Sequence, residues 1–279
     1  MLTATRRMAP WKIALLVLTV ALVWLVFLFP LIWLVMMSLK TQVDMFAVPP
    51  LFIFQPTLEH YQATFADRDF RQAATNSLIV TAVSVVASLV LGGMAGYSLA
   101  RFRSRRSEGL AMGLIIGRMI PPIVFVVPLF LLFNRLGLRN QHLGLILVYT
   151  AFNLPFVVWM LRSFFEEVPV DLEQAAMIDG ATRLRAFWTV TMPLAAAGIA
   201  ATAVFVAIAA WSEFLFALIL TGPRTTTLPV HLAAFVSDRA IDWGGVASTG
   251  VLVILPLVTL GLLVQRNLVK GLTMGAMKG

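Results

Sequence analysis

The sequence predicts an all-α membrane protein of six transmembrane helices, with a short helical loop between the fourth and the fifth. Three observations predict it: the composition, six long apolar runs, and the placing of the basic residues between them. Hydrophobic residues make up 60% of the 279 residues and charged ones 12%, against roughly 45–50% and about 25% in soluble domains. A compact fold in water has too little interior to hide that much apolar surface, whereas lipid accepts it. The net charge of +8 comes from 21 Lys and Arg in short clusters between the runs. That is the pattern of membrane loops, and it leaves no room for the continuous aqueous basic face that nucleic acid requires. The chain has no cysteine, which excludes disulfides and thiolate metal sites, and its three histidines lie far apart.

A hydrocarbon core of about 30 Å is crossed by roughly 20 apolar residues in helix. The runs that meet this length, or nearly do, are 13–37, 78–100, 109–133, 143–161, 194–220 and 246–264. The first follows Arg6, Arg7 and Lys12 as a secretory signal would. Its apolar stretch is about twice the usual signal length and no small-residue cleavage site follows, so it is expected to stay as a span. With the amino terminus inside, the inner segments carry 13 basic residues and the outer ones 7, with Arg118 left inside a span. The excess predicts both termini on the cytoplasmic side.

Within the spans, Gly92 and Gly96 share one face of the second, and Gly109, Gly113 and Gly117 one face of the third. Small residues at this spacing let helix backbones approach, either within the chain or across a dimer contact. Pro30, Pro121, Pro122, Pro128, Pro155 and Pro256 interrupt five spans, each removing a backbone donor. Broken helices persist at membrane depth only where protein or a water-filled cavity covers them, which points to a bundle around a pathway. Arg118 lies about 14 Å into the third span at 1.5 Å per residue, and Asn153 reaches a similar depth from the other side. Glu213 follows Trp211 and Ser212 in the fifth span. A charge at such depth costs about 2.5–3.5 kcal/mol. These polar groups therefore either line a translocation path or clamp helices together.

The loop 169–193 reads PVDLEQAAMIDGATRLRAFWTVTMP. Asp171 and Gln174 have capping-box spacing, which predicts a short helix starting there with Leu172, Ala175 and Ala176 as a small apolar face. Gly180 supplies the residue at which a helix most readily ends. Thr182 can cap a second helix that places Leu184, Phe187 and Trp188 on one face. Two short helices at an angle suit a groove on a partner; an amphipathic segment lying on the membrane is the other reading.

The pattern formed by Glu173, Ala175, Ala176, Asp179, Gly180 and Ala181, followed by Phe187 and Pro193, resembles the "EAA" coupling loop of binding-protein-dependent ABC importer permeases. The stretches 33–41, 46–61, 121–130, 143–159, 211–214 and 265–279 resemble the carbohydrate-importer branch of that family, so the likeness covers nearly the whole chain. It departs at Gln174, where the family has the glutamate preceding the alanine pair, and at Ser212, where the family has asparagine. The resemblance implies one permease domain over 1–279 that takes up a sugar or polyol by alternating access. It implies no enzyme activity and no cofactor on this chain, with ATP and Mg bound by a separate cytosolic ABC ATPase dimer. A sister permease, an extracytoplasmic solute-binding protein, a small carbohydrate and membrane lipid are the other implied partners, nucleic acid is not one, and the location implied is the inner membrane.

By the same resemblance, Glu173, Gln174, Ala175, Ala176, Asp179, Gly180 and Ala181 couple to the ATPase, and Gly275, Lys278 and Gly279 in the tail reach it. Arg118, Asn153, Trp211, Ser212 and Glu213 are the candidate translocation lining. The chain has no phosphate-binding loop of its own, in keeping with a separate ATPase. A stand-alone channel or secondary carrier is the main alternative, although neither needs a protruding cytosolic plug. A membrane-embedded enzyme is disfavoured, because no nucleophile–base pair or metal-ligand cluster is visible in the spans.

Overall fold

The computed structural model describes residues 10–102, 104–235 and 241–276. Among them the chain is helical, without strands, in the order α1 (Pro10–Ser38), α2 (Gln42–Met45), α3 (Glu59–Ala66), α4 (Arg68–Arg101) and α5 (Arg105–Arg118). A 3₁₀ turn (Pro122–Phe125) leads into α6 (Val126–Arg135), followed by α7 (His142–Glu167), α8 (Val170–Ile178) and α9 (Arg183–Ala186). A π-helical turn (Phe187–Thr191) precedes α10 (Met192–Leu194), α11 (Ala196–Trp211), α12 (Leu215–Leu220), α13 (Leu228–Ala233) and α14 (Trp243–Ala276).

The helices α1, α4, α7 and α14 are long and apolar enough to cross a membrane. The expected third and fifth spans are bent pairs: Ser107–Arg118 with Pro122–Arg135 at 88°, and Arg183–Leu194 with Ala196–Trp211 at 76°. The prolines are not equal in effect. Pro30, Pro155 and Pro256 lie inside continuous helices, where one missing donor is absorbed by neighbouring turns. The tandem Pro121-Pro122 removes two donors and holds Pro121 at ψ 132°, so the helix breaks there.

The chain forms two compact units, residues 1–66 with 235–252, and residues 67–234 with 253–279. In the first, the segment after α1 is tied to its end. The Thr57 amide donates to the Leu39 carbonyl (2.8 Å), Ser38 and Tyr61 hydroxyls pair at 2.7 Å, and the His60 ring donates to the Lys40 carbonyl (3.0 Å). Lys40 is buried with its ammonium over the rings of Trp33 and Phe54.

The second unit is organised by α4 against α7. A Cβ on Gly92 would stand 2.5 Å from the Val157 side chain, and one on Gly96 3.0 Å from the Val158 carbonyl. These glycines therefore serve contact within the chain. Gly109, Gly113 and Gly117 do not: nothing lies within 4 Å of a Cβ built on any of them. Two apolar clusters fill the unit. One gathers Val80, Phe133, Leu145, Tyr149, Phe216 and Leu220; the other gathers Val157, Leu161, Phe165, Phe187 and Val206 around the loop that follows α7. Asn76 pins the segment before α13 by donating to the Arg224 and Thr226 carbonyls (3.0 and 2.9 Å) while its oxygen meets His142 at 2.7 Å.

Candidate functional site

The loop between α7 and α11 is built from its glycine outwards. Helix α8 begins at Val170 with Pro169 as its N-cap and no side-chain cap. The expected capping box is thus absent: Pro169, two residues before Asp171, is the N-cap, and Asp171 falls in the first turn. At the other end Gly180 adopts φ +91°. Its amide donates to Met177 (3.1 Å) and that of Ala181 to Ala176 (3.0 Å). This paired closure is the Schellman motif, which a left-handed residue makes possible. Thr182 then caps α9, accepting from the Arg185 amide (3.3 Å).

Beyond α9, the Met192 amide reaches back to Phe187 and closes the π turn. The common face expected for Leu184, Phe187 and Trp188 is not formed. Phe187 is buried against Tyr97 (ring centroids 4.5 Å apart), while Leu184 and Trp188 stay exposed.

Glu173, expected from the resemblance to couple to the ATPase, is turned into the chain instead. It is 4% exposed and faces the end of α4. Arg101 donates to Glu173 Oε1 through Nε (2.9 Å) and Nη2 (2.7 Å). Tyr97 donates to Oε2 (2.8 Å), and the Thr191 hydroxyl donates to Oε1. Arg101 also donates to the carbonyls of Phe165 (2.8 Å) and Val168 (3.1 Å). Burial alone would raise the Glu173 pKa. The hydrogen bonds from Arg101, Thr191 and Tyr97, with the arginine's charge, outweigh it and hold the carboxyl below its ordinary range.

What remains outward on α8 and its C-terminus is Gln174, Ala175, Asp179 and Gly180, with Ala176 and Ala181 half-buried. Leu172 and Ile178 are exposed beside them. Small side chains flanked by exposed apolar ones give a low, dry surface suited to contact with another protein. Of the three expected tail residues, Gly275 falls in the last turn of α14; Lys278 and Gly279 lie outside the described residues.

A cavity of about 550 Å³ opens between α5, the 3₁₀ turn, α7 and the α11–α12 break, and it collects Arg118, Asn153 and Glu213. The Arg118 guanidinium stands over the Phe156 ring at 5.1 Å. Asn153 donates to the Tyr149 carbonyl (2.8 Å). Glu213 sits at the helix break and accepts from the Phe216 and Ala217 amides (2.9 and 3.1 Å), closing the start of α12. Trp211 and Ser212 do not line this cavity: the Trp211 indole is buried and donates to the Val253 carbonyl (3.0 Å), and Ser212 bonds back to Ile208. Phe152, Phe125 and Pro155 form the apolar wall. Broken helices around a cavity with a few converging polar groups are an arrangement for passing a polar solute through an apolar bundle.

Sequence reasoning missed Arg101, Tyr97 and Thr191. Arg101 is one of several arginines after the second span, and nothing in the local sequence marks it as buried.

These features define a multi-pass helical membrane transport subunit with a two-helix loop between α7 and α11. More particularly, the chain belongs to the family of binding-protein-dependent transport system inner membrane components, which it matches over residues 88–274. It is 40% identical over 253 residues to the probable ABC transporter permease protein y4oR of Sinorhizobium fredii, covering 91% of each chain. It is 35% identical over 272 residues to the trehalose/maltose transport system permease protein MalG of Thermococcus litoralis, covering 96% of this chain and 98% of that one. Its fold is similar to that in a crystal structure of a bacterial ABC transporter involved in the import of the acidic polysaccharide alginate. The TM-score is 0.77 at 23% identity, over 92% of this chain and 95% of that one. The protein is an inner-membrane ABC transporter permease and not an enzyme.

Proposed function

We propose that the whole chain acts as one permease domain of a carbohydrate importer, paired with a sister permease and driven by a separate cytosolic ABC ATPase dimer. ATP and Mg are bound by that dimer, and this chain binds no cofactor. An extracytoplasmic solute-binding protein delivers a sugar or polyol, which passes the cavity of Arg118, Asn153 and Glu213. Both termini lie in the cytoplasm, as the basic residues indicate, and the tail through Gly275, Lys278 and Gly279 meets the ATPase. The observation that carries this reading is the α8–Gly180–α9 knuckle, which presents Gln174 and Ala175 outward on a helix anchored from behind. The sugar class rests on the trehalose/maltose permease among the relatives.

ATP binding drives transport only by favouring one arrangement of the spans over the other. A knuckle seated in the ATPase would convert closure of that dimer into such a preference. The test is to co-express this chain with the candidate ATPase, sister permease and binding protein, reconstitute them in proteoliposomes, and follow uptake of labelled sugars. Uptake is expected only with ATP inside and the binding protein outside. Uptake by the permeases without any ATPase would replace this reading with a channel or secondary carrier.

A further inference from the structure

The buried pair behind the knuckle has a use of its own. Glu173 touches three elements at once: α4 through Arg101 and Tyr97, α8 on which it sits, and the π turn at the foot of the fifth span through Thr191. Arg101 adds a fourth, because its remaining donors hold the carbonyls of Phe165 and Val168 at the end of α7. Both side chains are 5% exposed. Besides this cluster, α8 is joined to the rest of the unit by the linking residues 168–169, by the turn at Gly180 and by packing against α9 and the π turn. Without the cluster, a push on α8 could be lost in rotation about those joints.

The outward face and the anchored face of α8 are also different residues. Gln174 and Ala175 face away, whereas Glu173 faces in. Load applied to the first pair has a direct route to the spans through Glu173. That route leads to Arg101, the last residue of the 34-residue helix α4. A carboxylate held by a two-pronged guanidinium contact, a phenol and a hydroxyl has little freedom to rotate, since each donor fixes a different direction.

We infer that Glu173 and Arg101 are positioning residues, a latch that makes α8, the inner ends of α4 and α7, and the π turn move as one body. This rests on the ATPase-coupled reading above. It differs from contact with the ATPase because Glu173 is spent inside the chain.

The experiment uses the assembled transporter in nanodiscs. The native chain has no cysteine, so spin labels on cysteines replacing Ile178, which is 86% exposed on α8, and Phe102, at the end of α4, report one distance. With the latch intact, that distance is expected to be narrowly distributed and the same with and without ATP. In Glu173→Gln it is expected to broaden and to change with nucleotide. Sugar imported per ATP hydrolysed should fall about tenfold, within the usual range of coupling between sites. Arg101→Lys keeps the charge but loses the fork, and gives the same readings should Glu173→Gln fail to assemble. An unchanged narrow distribution together with an unchanged import-to-hydrolysis ratio in either variant would overturn the latch. Absence of ATP-dependent uptake in the unsubstituted complex would instead overturn the function proposed above.

Discussion

Gly96 faces the backbone of Val158 so closely that a Cβ there would stand 3.0 Å from the carbonyl oxygen and 3.1 Å from the Arg162 amide nitrogen. Backbone cannot swing aside as a side-chain tip can. Gly96→Ala is therefore expected to push α4 and α7 apart at a cost of about 1–3 kcal/mol, the usual price of overpacking. Thermal unfolding of the purified subunit in detergent should show a lower midpoint. Gly113→Ala, which meets nothing within 4 Å in the chain, should unfold as the parent does.

The conformation of Gly180 sets a second expectation. Nothing crowds a Cβ at this position, so the whole penalty of a substitution comes from φ +91°. A β-branched residue there is strained by about 1–3 kcal/mol, enough to reorient the knuckle. In Gly180→Val, ATP hydrolysis should persist while sugar uptake drops. Gly180→Asn should be milder, since asparagine enters the left-handed region more readily. Coupled uptake at the parent level in Gly180→Val would count against the knuckle as a transmission element.

Acid should loosen the Glu173 cluster. Its carboxyl has a pKa below the ordinary 4.5 when folded, so it contributes stability above that ordinary value. This contribution is lost as pH falls through the folded value, because the unfolded chain takes up the proton first. Midpoints of unfolding measured from about pH 5 down to about pH 2 should decline in the parent and decline less in Glu173→Gln. At neutral pH the variant should be destabilised by about 3–5 kcal/mol, the cost of leaving a buried arginine without its anion.

At the cavity, Glu213→Ala removes the acceptor for two amides at the start of α12. It should cost about 1 kcal/mol of stability, as the loss of a helix cap does. Arg118→Gln leaves every hydrogen bond described here intact, so its effect should fall on transport. A raised half-saturation for uptake with unaltered thermal unfolding is the outcome that a lining role demands.

What the sequence makes legible follows from range. The helix stop at Gly180 and the cap at Thr182 are local patterns, and each stands where it was expected; of the apolar runs, the third and fifth are broken and bent. The pairing of Arg101 with Glu173 spans 72 residues and leaves no periodic trace, so an inward glutamate cannot be told from an outward one in the string alone. The capping-box spacing of Asp171 and Gln174 misleads because Pro169 already sets the helix start. Spacing of four residues shows that Gly92 and Gly109 belong to smooth helix faces, but not which face meets a neighbour. The tandem prolines announce a break, whereas its angle is set by tertiary packing.

The π turn before Pro193 has a consequence for insertions and deletions. An α-helix advances about 100° per residue, and the turn holds one residue more than an α-helical turn needs. Deleting a single residue between Phe187 and Thr191 would therefore let the chain heal into regular helix with the fifth span close to its present phase. Deleting one from the regular helix α11 beyond it has no such slack to draw on, and would turn everything downstream by that angle although each piece kept its own shape.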